Sequence, residues 1–176
     1  AVIFGLVVAF GSLAGILWSI VYPTRRLWPP QRYTTLTPVF VWVPTLTLFA
    51  VLVVLGITGW GDIAIPNWVR FGIGAPLIIL GHLAVWSEVA KFGIPQTGGA
   101  IGTLKTDGLY RVSRNPQYVA DIAMVLGWLI LSAAPWAMPV GGISIAVLIA
   151  APYAEEPWLE ASYGKPYQDY KRQVRR

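Results

Sequence analysis

Two polar stretches hold most of the side chains in this sequence that can do chemistry. One is Thr106-Asp107-Gly108-Leu109-Tyr110-Arg111-Val112-Ser113-Arg114-Asn115-Pro116-Gln117-Tyr118. The other is Glu155-Glu156-Pro157-Trp158-Leu159, followed by Tyr163-Gly164-Lys165-Pro166-Tyr167 and Tyr170. Neighbouring carboxylates such as Glu155 and Glu156 can hold an ammonium group or a ribose diol. A guanidinium, from Arg111 or Arg114, can fork onto a carboxylate. Tyr110 and Tyr118 offer ring faces for stacking and hydroxyls for hydrogen bonds. The set fits a zwitterionic ligand with an aromatic part. S-Adenosylmethionine has all of these parts: ammonium, carboxylate, ribose, adenine and a sulfonium cation. The plain alternative is that paired charges at a membrane edge only anchor helix ends.

Other chemistries are closed by composition. The chain has no cysteine, which excludes disulfides, thiolate ligands and a cysteine nucleophile. His82 is the only histidine, so no histidine-rich metal cluster is expected, and no metal. Gly93, Gly98, Gly99 and Gly102 do not make a dinucleotide fingerprint, because no strand precedes them. They read as a flexible loop able to lid a site.

The elements that must position these residues are membrane spans. Of 176 residues, 56% are hydrophobic and 12% charged, against roughly 25% charged in soluble domains. Spans of about 20 apolar residues are predicted at 1–22, 36–59 and 68–90. Two shorter spans, at 118–134 and 140–154, read as a helical hairpin turning at Pro135 and Pro139. Pro38 and Pro44 predict a kink or a late start in the second span. Gly72, Gly74 and Gly81 are expected close-approach points in the third. The opening run lacks a basic leader and reads as a span and not as a signal peptide. The tail from Glu155 is expected to form two short amphipathic helices lying on the membrane. The expected fold is thus an all-α polytopic bundle of about five spans in a single domain, 1–176. Residues 1–90 form three spans, and 91–176 the cofactor-binding loop, hairpin and tail.

Charge sorts with this layout. With the N-terminus outside, the inner segments hold Arg25, Arg26, Arg32, Lys91, Lys105, Arg111, Arg114, Lys165, Lys171, Arg172, Arg175 and Arg176, and Arg70 alone lies outside. Basic residues favour the cytoplasmic side, so the C-terminus and the site are expected there. The net charge of +5 is read as topology and contact with anionic lipid headgroups, and nucleic acid is not an expected partner. Trp18, Trp28, Trp42, Trp60, Trp68 and Trp136 are read as interfacial belt residues.

Three residues of the third span are substrate-side candidates: His82, Trp86 and Glu88. Each has a simpler reading. A lone histidine in a span often hydrogen-bonds a neighbouring helix, and Glu88 stands three residues before Lys91, the spacing of a local ion pair.

The order of the motifs adds a resemblance. Gly108-Leu109-Tyr110, then Arg114-Asn115-Pro116-Gln117-Tyr118, then Glu155-Glu156, then Tyr163-Gly164-Lys165-Pro166-Tyr167-Gln168-Asp169-Tyr170 resembles the isoprenylcysteine carboxyl methyltransferase and phospholipid N-methyltransferase superfamily of integral membrane enzymes. The likeness covers about residues 81–176, including Gly81 and Trp86; the first 70 residues match only as generic spans. It implies S-adenosylmethionine as cofactor, held by the C-terminal helices and their connections, and a lipophilic substrate entering from the bilayer. It implicates Tyr110, Arg114, Asn115, Pro116, Tyr118, Glu155 and Glu156 in cofactor binding, with Arg111 a further candidate from its charge. Arg114 and Glu155 are the expected catalytic grips. Asn115 replaces the histidine of many members, and Ala120 stands where glycine is common. Asp121, which follows, is similar to an acidic residue of membrane sterol reductases, which share the C-terminal architecture but use NADPH. An NADPH-dependent reductase and a non-enzymatic membrane scaffold are therefore the competing classes.

Overall fold

The computed structural model describes the backbone of all 176 residues and every side chain except Lys91, Phe92 and Ile94. Among the described residues the chain is all helix, turn and loop, with no strand. Helix α1 spans Val2–Val21 and α2 Thr37–Thr58. A short turn, α3 (Asn67–Val69), runs through a π-helical segment at Arg70–Gly74 into α4 (Ala75–Thr97). Then follow α5 (Pro116–Ser132), α6 (Ala137–Tyr163) and α7 (Lys165–Gln173).

Four helical stretches are long and apolar enough to cross a membrane: Val2–Val21, Thr37–Thr58, Asn67–Ala90 and Ala137–Tyr163. The fifth, α5, has 17 residues and reaches about 26 Å, at the short end of what a span needs. The helices are apolar nearly all round because their outer faces meet lipid in place of water. Phe4, Phe40, Leu80 and Leu83 are all more than half exposed.

The interior is built where α1, α2, α5 and α6 meet, around Ala9, Leu52, Leu55, Val125, Ala137 and Val140. Small residues set the helix spacing, since close packing is the main attraction between helices in lipid. A Cβ on Gly127 would stand 2.7 Å from the Gly74 carbonyl oxygen, and one on Gly81 2.7 Å from that of Ala120. Gly74, at the end of the π-helical segment, and Gly81, in α4, are therefore close-approach points, as expected. Gly72 is not one, because a Cβ there meets nothing.

The hairpin forms, but its second arm is longer than predicted. Helix α6 has 27 residues and continues through Glu155 and Glu156 with Pro152 and Pro157 inside it. Each proline removes one N–H from the ladder, a loss that buried helices of membrane proteins tolerate. At about 40 Å α6 exceeds the hydrocarbon thickness of roughly 30 Å, so its last turns project beyond it. The tail after it is one helix, α7, and not two. Its Tyr167 and Tyr170 are buried against the bundle, 2% and 7% exposed, in place of lying on lipid.

The two ends of the bundle differ in charge. At one end Gly61 and Ile63 donate their N–H groups to the Ser132 and Ala133 carbonyls, and Arg70 Nε donates to Leu131 O at 2.9 Å. These bonds satisfy carbonyls that the end of α5 leaves without helical partners. The loop after α1, the segment between α4 and α5, and α7 gather at the other end. There Trp28 meets Tyr118, Tyr163 meets Gly102, and Arg114 meets Arg175. Among the described residues, the basic ones other than Arg70 fall in or next to the segments of this second end, the segregation that charge counting predicts. The proposed Glu88–Lys91 pair lies outside the described residues.

Candidate active site

The site forms where α5 begins and α6 ends. Pro116 takes the first turn of α5, where its missing N–H costs nothing. Asn115 precedes it as N-cap, and its own N–H is met by Ser113 Oγ at 3.1 Å. Tyr118 follows two residues after Pro116. Across the hairpin its hydroxyl donates to Glu155 Oε1 at 2.6 Å. The indole N–H of Trp28, from the loop after α1, donates to the Tyr118 hydroxyl oxygen at 3.2 Å and also faces Glu155.

Successive residues of a helix point about 100° apart, so Glu155 and Glu156 serve different neighbours. Glu156 is 3% exposed. Its Oε1 accepts Arg176 Nε at 2.8 Å and lies 3.3 Å from Arg114 Nη2, while its Oε2 accepts Arg176 Nη2 at 2.6 Å. The Arg176 guanidinium also covers the Tyr153 ring at 4.0 Å. The Arg114 N–H donates to Arg175 O at 2.9 Å, so the residues after α7 return to the start of α5. One carboxylate thus faces two guanidiniums.

The cluster is also short of acceptors. Arg114 Nε and Nη1 and Asn115 Nδ2 are buried without a hydrogen-bond partner. Buried donors usually find partners, and leaving a charged one unmet is costly. The arrangement is therefore suited to an added acceptor, and a charged donor of Arg114 suits a carboxylate oxygen.

The tyrosines close the floor. Tyr170 donates its hydroxyl to the Tyr110 carbonyl at 2.7 Å. Burial, followed by the charges of Glu155 and Glu88, pushes the Tyr110 phenol well above its ordinary range. Burial likewise pushes Tyr170 up to about 12, although Arg114 pulls it the other way. All three side chains stay neutral at physiological pH when Tyr167, raised mainly by burial, is included.

Of the residues singled out in the sequence, Tyr110, Arg114, Asn115, Pro116, Tyr118, Glu155 and Glu156 come together here. Glu88 joins from α4, 2% exposed and near enough to Tyr110 for its charge to act there. Arg111 is exposed in the 3₁₀ turn Gly108–Arg111. His82 and Trp86 are exposed on α4, and neither enters the hydrogen-bonded network. Trp28 was hidden from sequence reasoning. Its setting beside Pro29 and Pro30 marks a turn but nothing chemical, and the belt reading gives no hint of its bond to Tyr118. Arg176 and Tyr153 carried no motif signal either.

Fold and site together define a multi-pass, all-helical membrane protein with a buried polar cluster at one end of its bundle. The chain belongs to the phospholipid methyltransferase family, whose model matches residues 69–166. It is also similar to the steroid 5-alpha-reductase DET2 of Solanum lycopersicum, 26% identical over 110 residues, which cover 61% of this chain and 42% of that protein. The chain thus spans less than half the length of that curated relative. No solved structure matches it.

Proposed function

We propose that this protein is an S-adenosylmethionine-dependent methyltransferase acting on a lipophilic acceptor that enters from the bilayer. The observation that carries the reading is the buried, unmet donor set of Arg114 and Asn115 a short distance along α5 from the Tyr118–Glu155 pair. Family membership supports it. The residues fit the cofactor. Arg114, steered by Glu156 through Nη2, keeps Nε and Nη1 as unmet donors on two edges of its guanidinium, and either can donate to a ligand carboxylate. Glu155, oriented by Tyr118, offers a carboxylate to an ammonium or a diol. Tyr110 adds an aromatic face. Bound S-adenosylmethionine supplies an electrophilic methyl group on a sulfonium.

The chain's own contribution is mainly positioning. Arg114 and Glu155 grip opposite charges and so orient the ligand. The apolar helices around the site limit water, which favours reaction of an anionic acceptor with a cation. An amine acceptor must lose a proton, and Glu155, Glu156 or Asp121 is the candidate to take it. The polar end is assigned to the cytoplasm, with the N-terminus outside, because the basic residues gather there.

The likeness to a steroid 5-alpha-reductase gives a second reading, a membrane reductase using NADPH. Calorimetric titration of the purified protein with S-adenosylmethionine, its demethylated product and NADPH separates them. Micromolar binding of the first two without NADPH is expected. NADPH binding alone would move the protein to the reductases.

A further inference from the structure

We propose that Trp28 is a positioning residue of the site, whose indole N–H fixes the direction in which the Tyr118 hydroxyl points and thereby holds Glu155. The inference deepens the reading above and rests on it for its functional consequence.

The chemistry follows from hydrogen-bonding inventories. An indole N–H can only donate, whereas a phenol hydroxyl both donates and accepts and its hydrogen rotates freely. Trp28 donates to the Tyr118 oxygen at 3.2 Å. With that oxygen already accepting, the Tyr118 hydrogen is left to point at Glu155, where the O···O distance is 2.6 Å. The order Trp28, Tyr118, Glu155 therefore has one direction.

The turn that carries the indole is held on both sides. Ser19, 1% exposed, accepts the N–H groups of Leu27 and Trp28 at 2.9 and 3.0 Å and donates to Gly15 O at 2.8 Å. Arg26 Nε ties to Pro29 O at 2.9 Å. On the far side, a Cβ on Gly99 would stand 2.7 Å from Pro30 and 3.3 Å from the Trp28 ring, so the glycine-bearing loop packs directly onto this turn. A belt tryptophan needs none of this. Trp68 and Trp136 are 72% and 63% exposed, whereas Trp28 is half-buried.

The test uses the 176-residue chain in detergent with ¹⁵N-labelled indoles, the Trp28 resonance being assigned from its loss in Trp28→Phe. Tyr118→Phe should shift that resonance, because the acceptor is gone. An unmoved resonance overturns the proposal without any ligand. Titration with S-adenosylmethionine then reads the consequence. Trp28→Phe, which keeps an aromatic ring, should weaken binding about two- to tenfold, the range that one neutral hydrogen bond carries. In the Tyr118→Phe background the same change should add little. An equal loss in both backgrounds means that Trp28 acts independently of Tyr118, by packing or by its own approach to Glu155, and overturns the proposal. Should the unaltered protein bind no S-adenosylmethionine, the methyltransferase reading falls, and the indole resonance alone decides the positioning role.

Discussion

Tyr118 and Glu155 stand 37 positions apart in sequence, yet their side chains share a 2.6 Å hydrogen bond that joins the first turn of α5 to the last third of α6. Arg114 lies one turn before Tyr118 and meets the adjacent Glu156 at 3.3 Å. The antiparallel hairpin thus sets two polar pairs side by side, one around each glutamate, and the first prediction follows from the difference between them.

Glu155→Gln and Arg114→Met should each weaken S-adenosylmethionine binding about tenfold to a hundredfold. Charge-assisted contacts contribute roughly 1.5–3 kcal/mol, against about 0–1 kcal/mol for exposed ion pairs. Arg114→Met keeps Glu156 paired, because Arg176 remains bound to both its oxygens, so the variant should stay folded. Lys171, which pairs with Glu160 on the exposed side of α7, serves as control. Lys171→Ala should bind like the unaltered protein. Titrations of the three purified variants decide the matter, and near-normal affinity in both site variants sinks the assignment.

Stability should rank the members of the ion cluster differently. Glu156→Gln leaves Arg114, 10% exposed, without its countercharge. Breaking a buried pair in this way costs about 3–5 kcal/mol. Arg176 is 41% exposed, and Arg176→Ala leaves Glu156 with Arg114, so the loss should be nearer about 1 kcal/mol. Thermal unfolding in detergent should show the larger drop in melting temperature for Glu156→Gln. The reverse order would mean that the residues after α7, and not the buried carboxylate, hold the cluster.

A topology prediction follows from the segregation of charge. Gln173, at the end of α7, is exposed. A cysteine placed there, in a chain with no other, should resist an impermeant thiol reagent in right-side-out vesicles and react once they are opened. Ready labelling of sealed vesicles would put the polar end, and the site, outside.

How far the sequence carried this reading depends on the range of the signal. Span positions and the hairpin were legible because apolar runs and Pro135 and Pro139 act locally. So were Tyr118 and Glu155, whose motifs lie at the facing ends of two neighbouring helices. The end of α6 was misread. Two glutamates and Pro157 look like a helix stop, but Glu156 finds Arg114 and Arg176, and Glu155 finds Tyr118, so the helix runs on to Tyr163. The burial of Tyr167 and Tyr170 was missed for the same reason, since their partners lie on other segments. Trp28 is the extreme case. Its partner Tyr118 is 90 positions away, and a tryptophan at the end of a span has the same local appearance whether it faces headgroups or a site.

The last prediction separates stability from the site by using the opposite end of the bundle. Arg70 is 8% exposed, and its guanidinium donates from Nε to Leu131 O at 2.9 Å and from Nη2 to Ser132 O at 3.4 Å. It also lies over the Trp60 ring, 4.9 Å from its centroid. A cation at the C-terminus of α5 meets the negative end of the helix dipole, and the hydrogen bonds fill carbonyls that the helix leaves open. Arg70→Met keeps much of the aliphatic stem but removes these donors, and should cost about 1.5–3 kcal/mol. Because Arg70 touches the far end of α5 from Tyr118, the folded fraction should bind S-adenosylmethionine with unchanged affinity. Parallel melting curves and titrations of Arg70→Met and Arg114→Met should therefore cross over, one variant losing mainly stability and the other mainly affinity. A loss of affinity in Arg70→Met with no change in melting would place a functional group at the end of the bundle assigned here to structure alone.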